Sequence, residues 1–369
     1  MAMKRTPLYE AHTAAGARLV DFAGWEMPVQ YAGVVEEYQA VRTAAGLFDV
    51  SHMGRVVAAG PGALAFLQHV TTNDVGTLGV LESHYSMVCN PNGGIKDDVY
   101  LYRLKQDEYL LCVNASNRDK IVAWLREQAD GARGLDLRDR STDLAQLALQ
   151  GPAARAILLG LGVQRIADLK PRRGVETSIR GEAVVITRTG YTGEAGYELY
   201  LPADAALGVW NLLVTEGKAA GLKPAGLGCR DLLRLEMAYL LYGNDISEDT
   251  TPLEANAEWT VCFEKGEFIG REALVRQRQD GLRRRLVAFE LLEKAVPRHG
   301  FRILRGGTSA EVIGEVTSGN LSPLLQKGIG LGYVPPVHGA PGTALAIEIR
   351  NKIVPAVVVK PPFYKRARG

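Results

Sequence analysis

The chain has 369 residues, of which 47% are hydrophobic, and this length favours two or three globular domains over a single core. Its 43 lysines and arginines against 41 acidic residues give a net charge of +2, without the basic excess typical of nucleic-acid-binding proteins. No stretch approaches the roughly 20 apolar residues that cross a bilayer, and no apolar run typical of a secretory signal follows the N-terminal charges. We therefore expect a cytoplasmic protein that binds neither nucleic acid nor membrane.

The cysteine and histidine side chains are scattered along the chain. The four cysteines, Cys89, Cys112, Cys229 and Cys262, form no C-x-x-C pair, so we expect free thiols packed as small apolar groups. None of the six histidines has a partner at the short spacing of metal-binding pairs. The chain also lacks the G-x-G-x-x-G motif of dinucleotide-binding folds and the lysine loop of P-loop proteins. These absences predict no metal, no NAD and no nucleoside triphosphate.

Helical and strand patterns alternate irregularly in the first two thirds of the chain. Amphipathic runs with capping residues predict helices, and apolar runs bounded by glycine- or asparagine-rich turns predict strands. The predicted helices span 34–46, 61–70, 118–128, 151–159, 205–220 and 228–241, and the predicted strands span 85–89, 99–104, 109–113, 144–149, 183–188 and 197–201. Because no regular βαβ period appears, the pattern indicates an α+β fold.

The last third has a different pattern, with short strands separated by glycine and proline turns. The predicted strands span 286–292, 300–304, 310–316, 328–334, 344–349 and 353–359. Such a series is typical of a small all-β barrel or sandwich. A polar, charged stretch at 277–285 precedes it, so we predict one folding region over 1–278 and a β-domain over 284–369.

Two adjacent acids follow a strong turn in the segment NPNGGIKDD, at 90–98. Side chains alternate along a strand, so Asp97 and Asp98 must point to opposite faces. We expect one of them to reach solvent and the other to share a face with Tyr100 and Tyr102. From this segment alone, a polar ligand contact and a turn-capping pair of acids are equally good interpretations.

Two later segments also combine charge with glycine. In RTGYTGEAGYEL, at 188–199, Glu194 and Glu198 lie four residues apart, and a buried glutamate is suited to accept two hydrogen bonds from an amino-amidine edge such as that of guanine or a pterin. A glycine-rich hairpin with surface acids explains the same pattern. In GLGCRDLLRLEMAYLLYG, at 226–243, Arg230 stands near a helix start, where an arginine clamps a carboxylate or ring carbonyl or forms a surface ion pair.

Taken together, these segments resemble the T-protein family of folate-dependent aminomethyltransferases. The matching phrases run the length of the chain and include TPLYEAH, DFAGWEMPVQY, GLFDVSHMG, MVCNPNGGIKDD, LQGP, TRTGYTGEAGYEL, PAGLGCRDLLRLE, YLLYGNDI, EVTSGNLSP, IGLGYV and KPPFY. The resemblance implies two interleaved α/β subdomains around a folate site, followed by a C-terminal β-barrel. It also implies transfer of the methylene of an aminomethyl group, carried on the lipoyl arm of H-protein, to tetrahydrofolate, with release of ammonia and dihydrolipoyl H-protein.

The resemblance also assigns roles to individual residues. Asp98 matches the acid that acts at the reacting folate nitrogens, Glu198 the acid at the pterin edge, and Arg230 its partner arginine. The remaining matches around the folate are Asn114, Tyr191, Tyr239 and Met53. Tetrahydrofolate is then a co-substrate and lipoylated H-protein a partner, with no metal, flavin or NAD.

Two other functions fit the same fold. The first is a folate-binding assembly protein for iron–sulfur enzymes, but the stretch YGNDISED lacks the cysteine motif of those relatives. The second is a folate-dependent demethylase of another donor, or the folate half of a sarcosine- or dimethylglycine-type dehydrogenase. The absence of a flavin-binding half argues against the dehydrogenases.

Overall fold

The computed structural model describes residues 3–306, 311–350 and 352–366. Within these ranges the helices are α1 (Tyr9–Ala14), α2 (Val34–Thr43), α3 (Ala63–Val70), α4 (Arg118–Gln128), α5 (Ala154–Gly160), α6 (Ala206–Gly217), α7 (Leu227–Glu236) and α8 (Arg271–Asp280). The strands are β1 (Arg18–Phe22), β2 (Trp25–Gln30), β3 (Ala45–Asp49), β4 (Gly54–Ala59), β5 (Ser83–Cys89), β6 (Ile95–Lys105), β7 (Glu108–Val113), β8 (Asp136–Asp139), β9 (Leu144–Gln150), β10 (Gly174–Ile179), β11 (Glu182–Thr187), β12 (Gly196–Pro202), β13 (Leu222–Pro224), β14 (Arg285–Leu291), β15 (Arg302–Arg305), β16 (Val312–Ser322), β17 (Lys327–Val334), β18 (Ala344–Ile349) and β19 (Lys352–Val359). Helices combined with largely antiparallel sheets confirm the predicted α+β class.

The chain divides into two compact units that are not continuous in sequence. The first unit takes in the chain up to Val70, then Asp74–Ser86 and Val99–Asp231. The second takes in Thr71–Asn73, Met87–Asp98 and the chain from Leu232 onward. Strands β5 and β6 therefore begin in one unit and end in the other. The division into regions 1–278 and 284–369 stays a prediction.

In the first unit, a six-stranded sheet has the order β10-β11-β12-β9-β3-β13, and only the β13–β3 pair is parallel. Its apolar core includes Leu147 and Leu149 of β9 and Trp210 of α6. Because side chains alternate along a strand, the polar residues Gln146 and Gln150 of β9 lie on its opposite face. Both glutamines are buried.

A second sheet has the order β5-β6-β7-β4-β8. In the first unit, Val57 of β4, Tyr102 of β6 and Cys112 of β7 pack in one apolar cluster with Tyr200 of β12. This cluster connects β12 of the six-stranded sheet with β4, β6 and β7 of the second sheet. It also places polar groups in the interior of the first unit.

The second unit contains a closed barrel with the strand order β14-β17-β16-β15-β18-β19. Phe289, Ile303 and Ile347 are fully buried in its core. Gly330 of β17 has no side chain where the Phe289 ring lies, and a Cβ there would collide with that ring. The six strands confirm the predicted C-terminal barrel.

Two predicted helices end earlier than expected. The helix predicted over 34–46 ends at Thr43, because the next residues form β3 and Gly46 pairs with Gln150 of β9. The helix predicted over 228–241 ends at Glu236. There Ala238 has a φ of 54°, and the Tyr239 N–H donates to the Arg234 carbonyl at 3.0 Å, which closes the last turn. The β1–β2 hairpin and β13 are further elements that the sequence patterns do not predict.

Candidate functional site

The paired acids stand at the start of β6, directly after the predicted turn. Asn90 Oδ1 accepts the backbone N–H groups of Asn92 at 2.9 Å and Gly94 at 3.0 Å, and Gly93 has a φ of 81°. Asn90 thereby accepts two backbone N–H groups of the turn. Asp98 is half-buried in the second unit, on the strand face that alternation also gives to Tyr100.

The expectation that the acid facing away from Tyr100 and Tyr102 reaches solvent is wrong. Asp97 is 0% exposed, whereas Asp98 is the more accessible carboxylate. Ile95 and Val99, which lie on the same strand face as Asp97, are also fully buried, so that face is covered. Asp97 is therefore an interior residue, not a turn or surface acid.

Glu198 lies on β12 of the first unit, where three neutral donors hold its carboxylate. Gln146 Nε2 donates to Oε1 at 3.0 Å, and the Tyr102 hydroxyl donates to Oε2 at 3.2 Å. The Thr189 hydroxyl also donates to Oε2. The Tyr200 hydroxyl joins the cluster by donating to that of Tyr102 at 3.0 Å and accepting from Gln146 Nε2 at 3.1 Å. A carboxylate has about four acceptor positions, so one on Oε1 remains for a ligand donor.

The glycine-rich segment before Glu198 wraps around a second glutamine of β9. A Cβ on Gly190 or Gly196 would collide with the Gln150 side chain, so close approach requires glycine at both positions. Gln150 Nε2 donates to the carbonyl of Thr189 at 3.2 Å, which fixes the backbone beside the Glu198 cluster.

The other glutamate of this segment has a structural environment. Glu194 Oε1 lies 2.8 Å from Arg42 Nη1, and both side chains are almost fully buried. The same nitrogen donates to the Thr192 carbonyl at 2.8 Å. The charge of Glu194 is thus neutralised within the first unit, whereas no cation contacts the Glu198 carboxylate among the described residues.

Arg230 and Tyr191, both predicted site residues, lie together in the first unit. The Arg230 guanidinium carbon is 4.7 Å from the centre of the Tyr191 ring, within the range of a cation–π contact. Burial, and then the charges of Arg230 and Arg55, lower the pKa of His52 to about 3, although Asp49 acts in the opposite direction. His52 is therefore a neutral imidazole, and its Nδ1 has no hydrogen-bond partner among the described residues.

Two more predicted residues also lie in the first unit. Met53 packs at the edge of the cluster that contains Tyr102 and Tyr200, directly after His52 in sequence. Asn114 immediately follows β7, and its carbonyl accepts the Asn117 N–H at 3.0 Å. Both side chains are partly accessible, as expected of residues beside a ligand.

Tyr239 lies in the second unit, beyond the end of α7. Its side chain is exposed, and its carbonyl accepts from Arg234 Nη1 at 3.0 Å. Of the seven predicted site residues, the first unit therefore contains Glu198, Arg230, Tyr191, Asn114 and Met53, and the second contains Asp98 and Tyr239.

Sequence reasoning missed Gln146 and His52. Gln146 interrupts the apolar strand LAQLALQ at a position where both faces are buried, and a polar residue in such a strand is a signal of an internal hydrogen-bond partner. His52 gives no comparable signal, because a single histidine after a strand is compatible with many roles. The expectation of free thiols is confirmed for all four cysteines, but only Cys89, Cys112 and Cys229 are buried, whereas Cys262 is half-buried.

The described residues lack two further features. No group of three or more His, Cys, Asp or Glu side chains is placed to hold a metal ion. None of the described helices combines the length and apolar character that a membrane span needs.

Comparisons with known proteins identify one family over nearly the whole chain. Residues 8–265 match the GCVT N-terminal domain, and residues 284–365 match the glycine cleavage T-protein C-terminal barrel domain. The chain is 48% identical over 361 residues to an aminomethyltransferase of Halothermothrix orenii, covering 98% of this chain and 100% of that protein. It is 44% identical over 366 residues to an aminomethyltransferase of Bacillus subtilis, covering 99% of this chain and 100% of that protein.

A solved structure gives the same result. The crystal structure of the glycine cleavage system aminomethyltransferase T of Bartonella henselae is similar to this chain with a TM-score of 0.91 and 36% sequence identity, covering 98% of each chain. The chain therefore belongs to the glycine cleavage T-protein family of folate-dependent aminomethyltransferases.

Proposed function

We propose that this aminomethyltransferase takes its aminomethyl group from the lipoyl arm of H-protein and passes the methylene to tetrahydrofolate. The nitrogen leaves as ammonia, and the sulfur of the arm is released as a thiol. The observation that carries the proposal is the Glu198 carboxylate, which is partly accessible and held by neutral donors inside a cluster that is otherwise buried.

The residues of the first unit fit a reduced folate. Tetrahydrofolate, when bound, supplies the two nitrogens that take up the methylene and a pterin edge rich in N–H donors. Glu198 offers acceptor capacity to such an edge, because its carboxylate is an acceptor only and Oε1 has a position left. Met53 adds a polarizable apolar contact, which suits the flat face of an aromatic ring.

Arg230 acts in this proposal as a cation that faces an electron-rich part of the ligand. Its contact with the Tyr191 ring holds the guanidinium in one orientation, with N–H groups left to donate. A guanidinium stays charged throughout the physiological pH range, so it supports a ring carbonyl or a carboxylate without proton exchange. Because His52 is neutral, it adds no second positive charge that would compete with Arg230 for the ligand.

Asp98 acts in this proposal at the reacting nitrogens. A half-buried carboxylate at a strand start accepts an N–H bond, stabilises positive charge that develops on a nearby nitrogen, and takes up or returns a proton. An acid of this kind is needed because nitrogen gains charge as the carbon–nitrogen bond forms. The same carboxylate supplies the proton path when ammonia leaves.

The test is a transfer assay combined with a binding assay. We expect purified protein to bind tetrahydrofolate in titration calorimetry in the presence of a chelator and without added flavin or NAD. We also expect it to form methylene-tetrahydrofolate from aminomethyl-loaded H-protein. Absence of binding at millimolar folate would contradict the assignment of Glu198 and Arg230. Binding without turnover of loaded H-protein would instead reject this donor and favour demethylation of another one.

A further inference from the structure

We propose that Gln146 is a positioning residue that orients the Glu198 carboxylate for its ligand through two hydrogen-bond paths, each ending on a different carboxylate oxygen. The first path is the direct bond from Gln146 Nε2 to Oε1. The second runs from the same nitrogen through the hydroxyls of Tyr200 and Tyr102 to Oε2. The inference rests on the proposed function, in which Glu198 binds the folate.

The direction of every proton in this ring follows from one fact. An ionised carboxylate only accepts hydrogen bonds, so Tyr102 must donate its single proton to Glu198. The Tyr102 oxygen then accepts a hydrogen bond from the Tyr200 hydroxyl. Because the only proton of Tyr200 is used in that bond, the Tyr200 oxygen can act towards its other neighbour only as an acceptor. The Tyr200 oxygen therefore needs a hydrogen-bond donor from outside the two hydroxyls. Gln146 Nε2 supplies an N–H group to it at 3.1 Å. The ring therefore has one consistent arrangement of protons, and Gln146 is its source.

Cys112 fixes the orientation of the Gln146 amide. The Cys112 thiol donates to Gln146 Oε1 at 3.4 Å, so the amide nitrogen faces Glu198 and Tyr200. Burial, together with the negative charge of Glu198, raises the pKa of the Cys112 thiol to about 12, which keeps the donor proton in place. A flipped amide would face its oxygen to the carboxylate, remove the N–H donor to Tyr200 and remove the acceptor of the thiol proton.

Gln146 is the one side chain of the ring with two N–H groups, and both are used. A leucine in its place removes the donor to Oε1 and the donor to Tyr200, so the carboxylate loses orientation on both sides. A glutamate in its place puts a second carboxylate at hydrogen-bond distance from Glu198, and two such acids share one proton when both cannot ionise. At low pH that shared proton restores the missing hydrogen bond.

The experiment measures tetrahydrofolate affinity by calorimetry and kcat at saturating folate for the full-length chain. Gln146→Leu should raise Kd about tenfold, as expected for a lost hydrogen bond to a charged group, with kcat changed less than about threefold. Gln146→Glu should bind at least about tenfold more weakly at pH 8 than at pH 6. The wild-type Kd should change less than about threefold over this range.

The other titratable groups around Glu198 do not produce this pH dependence. Burial raises the pKa of Tyr102 and Tyr200 well above the ordinary value, and that of Cys112 to about 12. The charges of Arg55 and Arg230 act on Cys112 and stay constant between pH 6 and pH 8. A pH-dependent Kd in Gln146→Glu therefore reports the new carboxylate pair.

Two controls separate positioning from general structure. Leu147→Ala changes the next residue of β9, which faces the apolar core, and should lower the thermal unfolding midpoint without changing Kd. In a Glu198→Gln background, Gln146→Leu should weaken binding less than about twofold further, because the residue acts through Glu198.

An unchanged Kd in Gln146→Leu, or a full additional loss in the Glu198→Gln background, would overturn the inference. Failure of the proposed function has a different signature, since wild-type protein would then bind no tetrahydrofolate at all. Weakened binding in Gln146→Leu beside an unchanged Kd in Glu198→Gln would show that Gln146 acts by another route.

Discussion

Each of the two units contains a buried polar cluster built around one carboxylate, and the two carboxylates are held in different ways. In the second unit, Asp245 is 2.7 Å from Arg234, with side-chain exposures of 0% and 2%. Asp245 also accepts from the Thr317 hydroxyl and from the Leu241 N–H, and Arg234 donates to the Ser318 hydroxyl. In the first unit, Glu198 remains partly accessible and has only neutral donors around it.

This difference in surroundings indicates that the charge of Asp245 has a structural role, whereas that of Glu198 is available to a ligand. The Asp245–Arg234 ion pair has almost no exposed surface, so another molecule cannot reach it, and its loss is felt in folding. A carboxylate held by neutral donors keeps its full negative charge and a fixed orientation, so it favours a ligand that brings N–H groups or positive charge. We therefore expect substitutions in the two clusters to affect different measurements.

The largest effect is expected in the second unit. Asp245→Ala removes the carboxylate of a buried ion pair and leaves the Arg234 charge in the interior, so we expect the free energy of unfolding to fall by about 3–5 kcal/mol. Urea denaturation followed by circular dichroism measures it. The double variant Arg234→Met with Asp245→Leu should recover most of the loss, because no buried charge is left. A stable Asp245→Ala protein with altered folate affinity would reverse the roles given to the two clusters.

Glu198→Gln tests the first unit. An amide in place of the carboxylate turns one acceptor into a donor, which then faces donors, so we expect folate affinity to fall by about 2–4 kcal/mol. Titration calorimetry with tetrahydrofolate measures the change, and kcat at saturating folate should fall far less. The matched control is Glu194→Gln, which weakens the ion pair with Arg42. It should lower stability while leaving the folate Kd unchanged.

Asp98→Asn extends the comparison to a proposed catalytic acid. Asparagine keeps the size of the side chain and still accepts a hydrogen bond, but it lacks the charge and the basicity. We expect kcat to fall about 100-fold or more, with folate affinity and folding nearly intact. Steady-state kinetics with saturating tetrahydrofolate and loaded H-protein give the answer. If kcat is unchanged, the acid is structural and the proposed proton path is wrong.

Two neighbouring acids serve as controls for Asp98. Asp107→Asn changes an exposed turn residue at the far end of β6 and should alter neither kcat nor stability. Asp97→Asn changes a residue with no exposed surface, so we expect a stability loss of about 1–3 kcal/mol and less than about a tenfold loss in kcat. A larger kinetic loss in Asp97→Asn would mean that the catalytic role belongs to the first acid of the pair.

Local sequence patterns predict most of the regular elements, and they fail where distant partners decide the structure. The barrel strands follow from short apolar runs between glycine and proline turns, and α4 agrees with its predicted bounds of 118–128. The three-residue β13 exists because it pairs with β3, which precedes it by more than 170 residues. The premature end of α7 depends on the left-handed conformation of Ala238, which its sequence does not indicate.

The same limit applies to the candidate site. The glycine-rich segment at 188–199 predicts a glutamate suited to a ligand, but the family resemblance, not the local pattern, selects Glu198 over Glu194. Two donors that orient it, Gln146 and Tyr102, are 52 and 96 residues away. Asp97 shows a related failure, since strand alternation predicts that the two acids point apart but not which side is covered. The roles of the seven predicted residues stay predictions.

His52 is a third kind of buried polar group, and it gives the smallest predicted effect. Within the described part of the chain it has no ion pair and no hydrogen-bond partner on Nδ1, and burial lowers its pKa to about 3. The unfolded chain takes up a proton near pH 6.5, whereas the folded protein does so only near pH 3. Stability is therefore fully present above pH 6.5 and is lost as the pH falls through this window. We expect a loss of about 2 kcal/mol between pH 7 and pH 5.

Urea denaturation of wild-type protein and of His52→Gln at several pH values isolates the contribution of His52 to the unfolding free energy from that of the other titratable groups. The variant cannot titrate in this window, so its unfolding free energy should be flatter between pH 7 and pH 5. Asp49 does not interfere, since His12, Thr6 and Ser51 outweigh the effect of burial and lower its pKa to about 2. Its contribution is present above pH 4 and is lost only below that value. Equal slopes for the two proteins above pH 5 would show that His52 accepts its proton in the folded state and that solvent or a ligand reaches Nδ1.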